Sequence, residues 1–122
     1  MTLGRLTTHV LDTANGRPAA GVRVRLYALE GPDGNTRRLL RDVMTNAEGR
    51  CDEPLIEGEH FLTGRYEVVF GAGAYFASIG AIQEQPAFVD DVVLRFGIAN
   101  AAQHYHVPLL VSPWSYSTYR GS

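Results

Sequence analysis

The sequence closes on HYHVPLLVSPWSYSTYRGS, residues 104–122. This stretch predicts two β-strands joined by a turn at Ser112-Pro113. Alternate residues of a strand point to opposite faces, so every second apolar residue predicts the core face. That face is expected to hold Tyr105, Val107, Leu109 and Val111. If the turn has two or four residues, the opposite face carries His106, Ser117 and Tyr119 together. We therefore expect a polar sheet face directed away from the core.

In the rest of the chain, the sequence pattern predicts short strands separated by Gly, Pro and Asn. The predicted strands are Arg5–Asp12, Val22–Leu29, Thr36–Thr45, Gly64–Phe70 and Asp91–Ile98. One helix is predicted at Ala74–Gly80, and 55–62 reads as a loop with a possible short strand. A βαβ rhythm is absent, which favours an all-β, antiparallel β-sandwich. The length of 122 residues fits one domain spanning 1–122.

Composition narrows the class of partner. A net charge of -2 gives no electrostatic reason to bind nucleic acid or an anionic membrane. No run of apolar residues approaches the length of a membrane span, and the first residues lack the basic segment and apolar run of a secretory signal. The single cysteine, Cys51, excludes an intramolecular disulfide and suits a reducing compartment. We expect a cytoplasmic protein.

The closing stretch, together with LTTHVLD (residues 6–12) and TNAEGR (residues 45–50), closely resembles the 5-hydroxyisourate hydrolases of the transthyretin family. Their signature is a chain ending in Tyr-Arg-Gly-Ser. The resemblance covers essentially the whole chain. It implies a transthyretin-like sandwich of about eight strands with one short helix. It also implies a homotetramer, a dimer of dimers, with active sites in clefts at the dimer–dimer interface.

The activity implied by the resemblance is hydrolysis. Such an enzyme opens the lactam ring of 5-hydroxyisourate and yields 2-oxo-4-hydroxy-4-carboxy-5-ureidoimidazoline in urate degradation, with no metal and no cofactor. The residues at the positions of the family's active-site histidines, arginine and terminal tyrosine are His9, Arg50, His106 and Tyr119. Further substrate-binding residues are expected in the ending: Ser117, Arg120 and Ser122.

These residue types suit the chemistry. A neutral histidine can take a proton from water near neutral pH. A guanidinium offers planar, charged donors to ring carbonyls and to a developing oxyanion. Which of His9 and His106 is the base stays open. Each residue also has a simpler interpretation, because an isolated strand histidine or an arginine after a turn is commonly a solvated surface group.

Several alternatives compete with the hydrolase. His104 and His106 form an H-x-H pair that can bind a metal, although no third ligand is spaced to complete the site. The thiol of Cys51 adjoins Arg50 and can be activated by it, but alternation favours a packing role. At the level of the whole protein, the rivals are a hormone-type binding protein that uses the same interface channel and a non-catalytic sandwich module.

Overall fold

The structure is a computed structural model that describes residues 3–121. Two β-sheets pack around one hydrophobic core. The strands of the described residues are β1 (Arg5–Asp12), β2 (Arg17–Pro18), β3 (Arg23–Glu30), β4 (Thr36–Met44), β5 (Ile56–Glu57), β6 (Gly64–Phe70), β7 (Val92–Ile98), β8 (His104–Val111) and β9 (Tyr116–Thr118). One sheet has the order β2-β1-β8-β9, with β5 also paired to β1, and the other has the order β4-β3-β6-β7. The predicted β-sandwich is confirmed.

One strand pair departs from the antiparallel expectation. β1 and β8 run parallel, with Arg5 beside His104 and Thr7 beside His106, whereas every other pair is antiparallel in the described part of the chain. A parallel pair needs a long connection, and here almost the whole chain intervenes. The pairing brings two segments from opposite ends of the sequence together at the centre of one sheet.

Alternation in β1 and β8 sorts their side chains as the sequence predicts. In β1 the buried positions are Leu6, Thr8, Val10 and Asp12, and the positions between them are partly or fully exposed. In β8 the predicted core residues Tyr105, Val107, Leu109 and Val111 are all buried. His104 and His106 therefore lie on the face away from the core. Burial of the apolar side chains of β1 and β8 fixes this orientation, because a shift of the strand register by one residue would expose those side chains.

Two local segments refine the sequence prediction. The helix α1 spans Ala72–Ser78, so it begins two residues before the predicted Ala74, and Gly80 follows it with a φ of +77°. Gly80 is thus the expected helix terminator. The uncertain segment 55–62 consists of β5 and a 3₁₀ turn at Gly58–His60. In residues 3–121, no helix has the length and apolar character needed to cross a membrane.

The end of the chain follows the predicted hairpin, although its second strand is short. Ser112 and Ser115 close a four-residue turn through a backbone hydrogen bond of 2.8 Å. A four-residue turn preserves parity, so Ser117 lies directly across from Leu110. Beyond β9, Gly121 forms an isolated bridge to His106. The prediction that Ser117 shares a sheet face with His106 is confirmed by this register.

Candidate active site

Thr7 stands between two histidines on the face of the β1–β8 pair that points away from the core. Its Oγ1 lies 2.7 Å from Nε2 of His104 and 2.8 Å from Nδ1 of His106. The parallel register causes this arrangement, because it sets Thr7 directly beside His106 and one step from His104. Within the described residues, no hydrogen bond engages Nε2 of His106. That nitrogen is therefore available to a ligand or to water.

Arg50 is placed by a tight turn that packs onto β1. Gly49, which precedes it, has a φ of +76°, and a Cβ there would come within 2.4 Å of the carbonyl oxygen of Val10. Only glycine fits this position without strain or collision. The side chain of Asn46 accepts hydrogen bonds from the backbone N–H groups of Glu48 and Arg50, at 2.9 and 3.2 Å. The turn thereby delivers Arg50 to the same sheet face as the histidines.

His9 is tied to this turn. It forms an isolated antiparallel bridge with Arg50, and its Nε2 lies 2.8 Å from the carbonyl oxygen of Glu48. A carbonyl only accepts, so Nε2 of His9 must carry the proton and donate it. In the neutral ring the basic nitrogen is then Nδ1. His9 and His106 are therefore not equivalent, because His106 keeps Nε2 unoccupied by the described protein atoms.

A cleft of about 340 Å³ opens beside these groups. It is lined by Arg5, Thr7, Thr8, Arg50, Cys51, Asp52, Glu53, Pro54, His104 and His106. Its size lies in the range of about 300–1,000 Å³ typical of small-molecule sites. In residues 3–121, no hydrogen bond or ion pair engages the guanidinium of Arg50. The lining is predominantly polar and charged, which suits a ligand rich in carbonyl and N–H groups.

Burial and positive neighbours keep the two cleft histidines neutral. Burial lowers the pKa of His106, and the charge of Arg50 lowers it further, with additional contributions from the neighbouring rings of His104 and His9. Burial also lowers the pKa of His104, with a smaller contribution from Arg5. Both pKa values lie below the ordinary histidine value of about 6.5. Near neutral pH both rings are thus bases with a lone pair available.

The C-terminal segment closes against His106 through a glycine. Gly121 donates a backbone hydrogen bond of 2.7 Å to His106 and accepts one of 3.3 Å from it. A Cβ at Gly121 would lie 3.1 Å from Cδ2 and 3.2 Å from Cβ of His106. A larger residue would press on the imidazole, so the glycine of the ending lets the backbone pack directly on this ring.

The structure separates the other predicted site residues from the cleft within one chain. Ser117 is exposed farther along the same face, and Tyr119, with 62% of its surface exposed, lies outside the cleft lining. Arg120 is on the opposite face, where its guanidinium stacks 4.1 Å above the ring of Tyr105 and donates to Gln103 at 3.1 Å. Ser122 lies outside the described residues. His9, Arg50 and His106 are brought together; Tyr119 and Arg120 are not.

Thr7 is not among the site residues predicted from the sequence. Alternation along β1 indicates that Thr7 shares a face with His9. Only the parallel register with β8, which local pattern does not predict, places it between two histidines. Cys51 does line the cleft, yet burial raises the pKa of its thiol above the ordinary range, an effect that Arg41 only partly offsets. The thiol therefore stays protonated near neutral pH, which disfavours the activated-cysteine alternative.

The metal alternative for His104 finds no further support. Among residues 3–121, no group of three His, Cys, Asp or Glu side chains is arranged to hold an ion. Nε2 of His104 and Nδ1 of His106 are both already within hydrogen-bonding distance of the Thr7 hydroxyl.

Fold and site together define a transthyretin-like β-sandwich with a histidine–arginine cleft on the outer face of one sheet. The chain matches the HIUase/Transthyretin family over residues 6–121 and belongs to that family. Over 119 residues it is 62% identical to 5-hydroxyisourate hydrolase 2 of Rhizobium meliloti (strain 1021), covering 98% of this chain and 97% of that protein.

Solved structures agree with this assignment. A 5-hydroxyisourate hydrolase from Klebsiella pneumoniae is 34% identical, with a TM-score of 0.78 and full coverage of both chains. A transthyretin from Sparus aurata is 27% identical, with a TM-score of 0.83 and 96% coverage of both chains. An (S)-allantoin synthase is 49% identical, with a TM-score of 0.92; the match covers 99% of this chain and 44% of that longer chain.

Proposed function

We propose that this protein is a hydrolase that opens the lactam ring of 5-hydroxyisourate to give 2-oxo-4-hydroxy-4-carboxy-5-ureidoimidazoline. The observation that carries the proposal is that His106 and Arg50 line one cleft, with the backbone of His9 paired to Arg50. A neutral base and a permanent cation are the two groups that water attack on a carbonyl needs. Membership of the family, and relatives named for this activity, support the choice of substrate.

His106 is the proposed general base, because its Nε2 is unengaged by described protein atoms whereas Nε2 of His9 already donates to Glu48. Nε2 of His106 takes a proton from water as the water oxygen bonds to the ring carbonyl carbon. The carbonyl becomes an oxyanion, and the guanidinium of Arg50 donates to it. When the oxyanion collapses, the C–N bond breaks. The nitrogen takes the proton from His106, which leaves the acid product and a neutral ring.

His9 is the proposed orienting group, with Nδ1 directed to the substrate ring and Nε2 anchored on Glu48. Tyr119, Ser117, Arg120 and Ser122 are proposed to bind substrate, but the first three lie away from the cleft in one chain. We therefore propose that a second subunit roofs the exposed sheet face, in a homotetramer built as a dimer of dimers. Enclosure would exclude water and strengthen the charge interactions of the site.

We further propose that catalysis requires neither metal nor cofactor. Arg50 would supply the electrostatic stabilisation that a Lewis acid supplies elsewhere. The test is exhaustive dialysis against a strong chelator followed by assay. Unchanged turnover is expected, and a loss of turnover that zinc restores would contradict the proposal. We also propose a cytoplasmic location, because Cys51 is the sole cysteine and is a free thiol.

A hormone-type carrier using the same face is the alternative, and the cleft favours the hydrolase over it. Two arginines, two histidines and two acidic residues line the cleft, so an apolar hormone would have to desolvate them without pairing them. The deciding experiment generates 5-hydroxyisourate in place with urate oxidase and follows its ultraviolet absorbance. Addition of the protein should speed the decay. Decay at the spontaneous rate would remove the hydrolase from consideration.

A further inference from the structure

The hydroxyl of Thr7 faces two rings but has one hydrogen. It lies within hydrogen-bonding distance of Nε2 of His104 and Nδ1 of His106. It can donate to one ring and must then accept from the other, so the two tautomers are coupled. If Thr7 donates to His104, then His106 carries its proton on Nδ1 and presents a bare Nε2. If Thr7 donates to His106, then Nε2 of His106 carries a proton instead.

Only the first arrangement leaves His106 able to act as a base at Nε2. In this arrangement Nδ1–H of His106 donates to Oγ1 of Thr7, and the hydroxyl donates to Nε2 of His104. The chain of hydrogen bonds therefore runs from the reacting nitrogen, through the ring and the hydroxyl, to a second histidine.

We propose that Thr7 and His104 are positioning residues that form a proton relay with His106 and switch it between base and acid; this rests on the proposed hydrolase function. When Nε2 of His106 takes a proton from water, Nδ1 passes its proton to Oγ1 of Thr7. The hydroxyl passes its own proton to Nε2 of His104. The result is a neutral His106 protonated at Nε2, a restored hydroxyl and a charged His104. Return of the protons accompanies protonation of the leaving nitrogen, so the cycle is balanced.

The surroundings of the two rings favour this movement of charge. His106 is partly buried and faces the positive charge of Arg50 and the rings of His9 and His104. His104 has one cationic neighbour that lowers its pKa, Arg5. The charge of Arg50 opposes an imidazolium on His106 and is not among the causes that lower the pKa of His104, which are burial and Arg5. The relay takes the positive charge away from the guanidinium that must bind the oxyanion.

A simpler role for Thr7 would be to satisfy two polar nitrogens on a half-buried sheet face. The two roles differ in what a substitution at His104 does. Gln at position 104 can still exchange a hydrogen bond with the hydroxyl, but it cannot take up a proton. A structural role predicts normal turnover for this variant, whereas a relay predicts a loss as large as that from removing the hydroxyl.

The test compares kcat and KM for Thr7→Val, Thr7→Ser and His104→Gln. Thr7→Val and His104→Gln should each lower kcat about 10- to 100-fold, the scale of losing one hydrogen bond to a charged group, with little change in KM. Thr7→Ser should restore kcat, because it keeps the hydroxyl. Thr13→Val is the matched control, since its hydroxyl also bonds a residue of β8, donating to the carbonyl oxygen of Val111 at 3.1 Å, but lies outside the cleft lining. Light scattering and melting temperature check that the variants assemble and fold.

A second readout needs no substrate. Nitrogen-15 spectra of the wild type at pH 7.5 should show both His104 and His106 protonated on Nδ1 and bare on Nε2. In Thr7→Val the two tautomers should no longer be fixed. Spectra that place the proton of His106 on Nε2, or normal kcat in His104→Gln, would overturn the relay. Failure of the wild type to hydrolyse 5-hydroxyisourate would instead overturn the function, and the spectra would still decide the hydrogen-bond chain.

Discussion

Replacing His106 with Asn should remove most turnover while leaving the fold intact. As general base and acid the ring is expected to contribute about 10²–10⁴-fold, which is about 3–5 kcal/mol of barrier. The structural cost is much smaller. The side chain lies on the face away from the core and makes one described side-chain hydrogen bond, 2.8 Å long, to Thr7. Losing such a bond costs about 1 kcal/mol, or about 4 °C in melting temperature for a domain of this size.

His60→Asn is the matched control for this prediction. His60 is an exposed histidine in the 3₁₀ turn and lies outside the cleft lining. The assay is the ultraviolet decay of 5-hydroxyisourate, with a thermal melt on the same samples. The control should match the wild type in both. If His106→Asn kept turnover within about threefold of the wild type, far short of the loss expected of an acid–base group, the assignment of the base would be wrong.

Further results are expected from changes in pH and from substitutions at Arg50 and Tyr75. Turnover should be level above neutral pH and fall only at pH values below the ordinary histidine pKa of about 6.5, because burial and Arg50 lower the pKa of His106. The unfolding free energy should fall in the same acidic range, since the unfolded chain binds the proton more readily. A turnover profile with its midpoint above about 7 would refute a lowered pKa for His106. Arg50→Lys keeps the charge but loses the planar fork, so kcat/KM should drop at least tenfold, and parity with the wild type would refute the oxyanion role. Tyr75→Phe removes a buried 2.8 Å hydrogen bond to Asp12, so it should cost about 1–2 kcal/mol of stability. Turnover should not change, because Tyr75 is not among the residues that line the cleft; an activity loss in the folded protein would contradict this.

The sequence predicts the parts of the fold that depend on local pattern. Alternation in β1 and β8 is enough to orient His9 and His106, because burial of apolar neighbours decides which face turns inward. The pairing of β1 with β8 is not a local property, since the partners are almost a hundred residues apart. The position of Thr7 between His104 and His106 follows only from that register and was therefore missed.

Placement of the ending was predicted only in part. Parity across the four-residue turn correctly set Ser117 on the histidine face. Arg120 has the opposite parity, and its guanidinium stacks on the ring of Tyr105. This cation–π contact competes with any role in the cleft. The proposed roles of Tyr119 and Arg120 therefore require the proposed second subunit, which no pattern within one chain specifies.

The most direct measurement of the central claim is the decay constant of 5-hydroxyisourate as a function of protein concentration, for the wild type and for the double variant His9→Asn/His106→Asn. The account predicts that the wild-type constant rises in proportion to protein concentration, while the double variant stays on the spontaneous line despite retaining a cooperative melt. A wild-type line that coincides with the spontaneous one, or a double variant as active as the wild type, would contradict a hydrolase that works through this cleft.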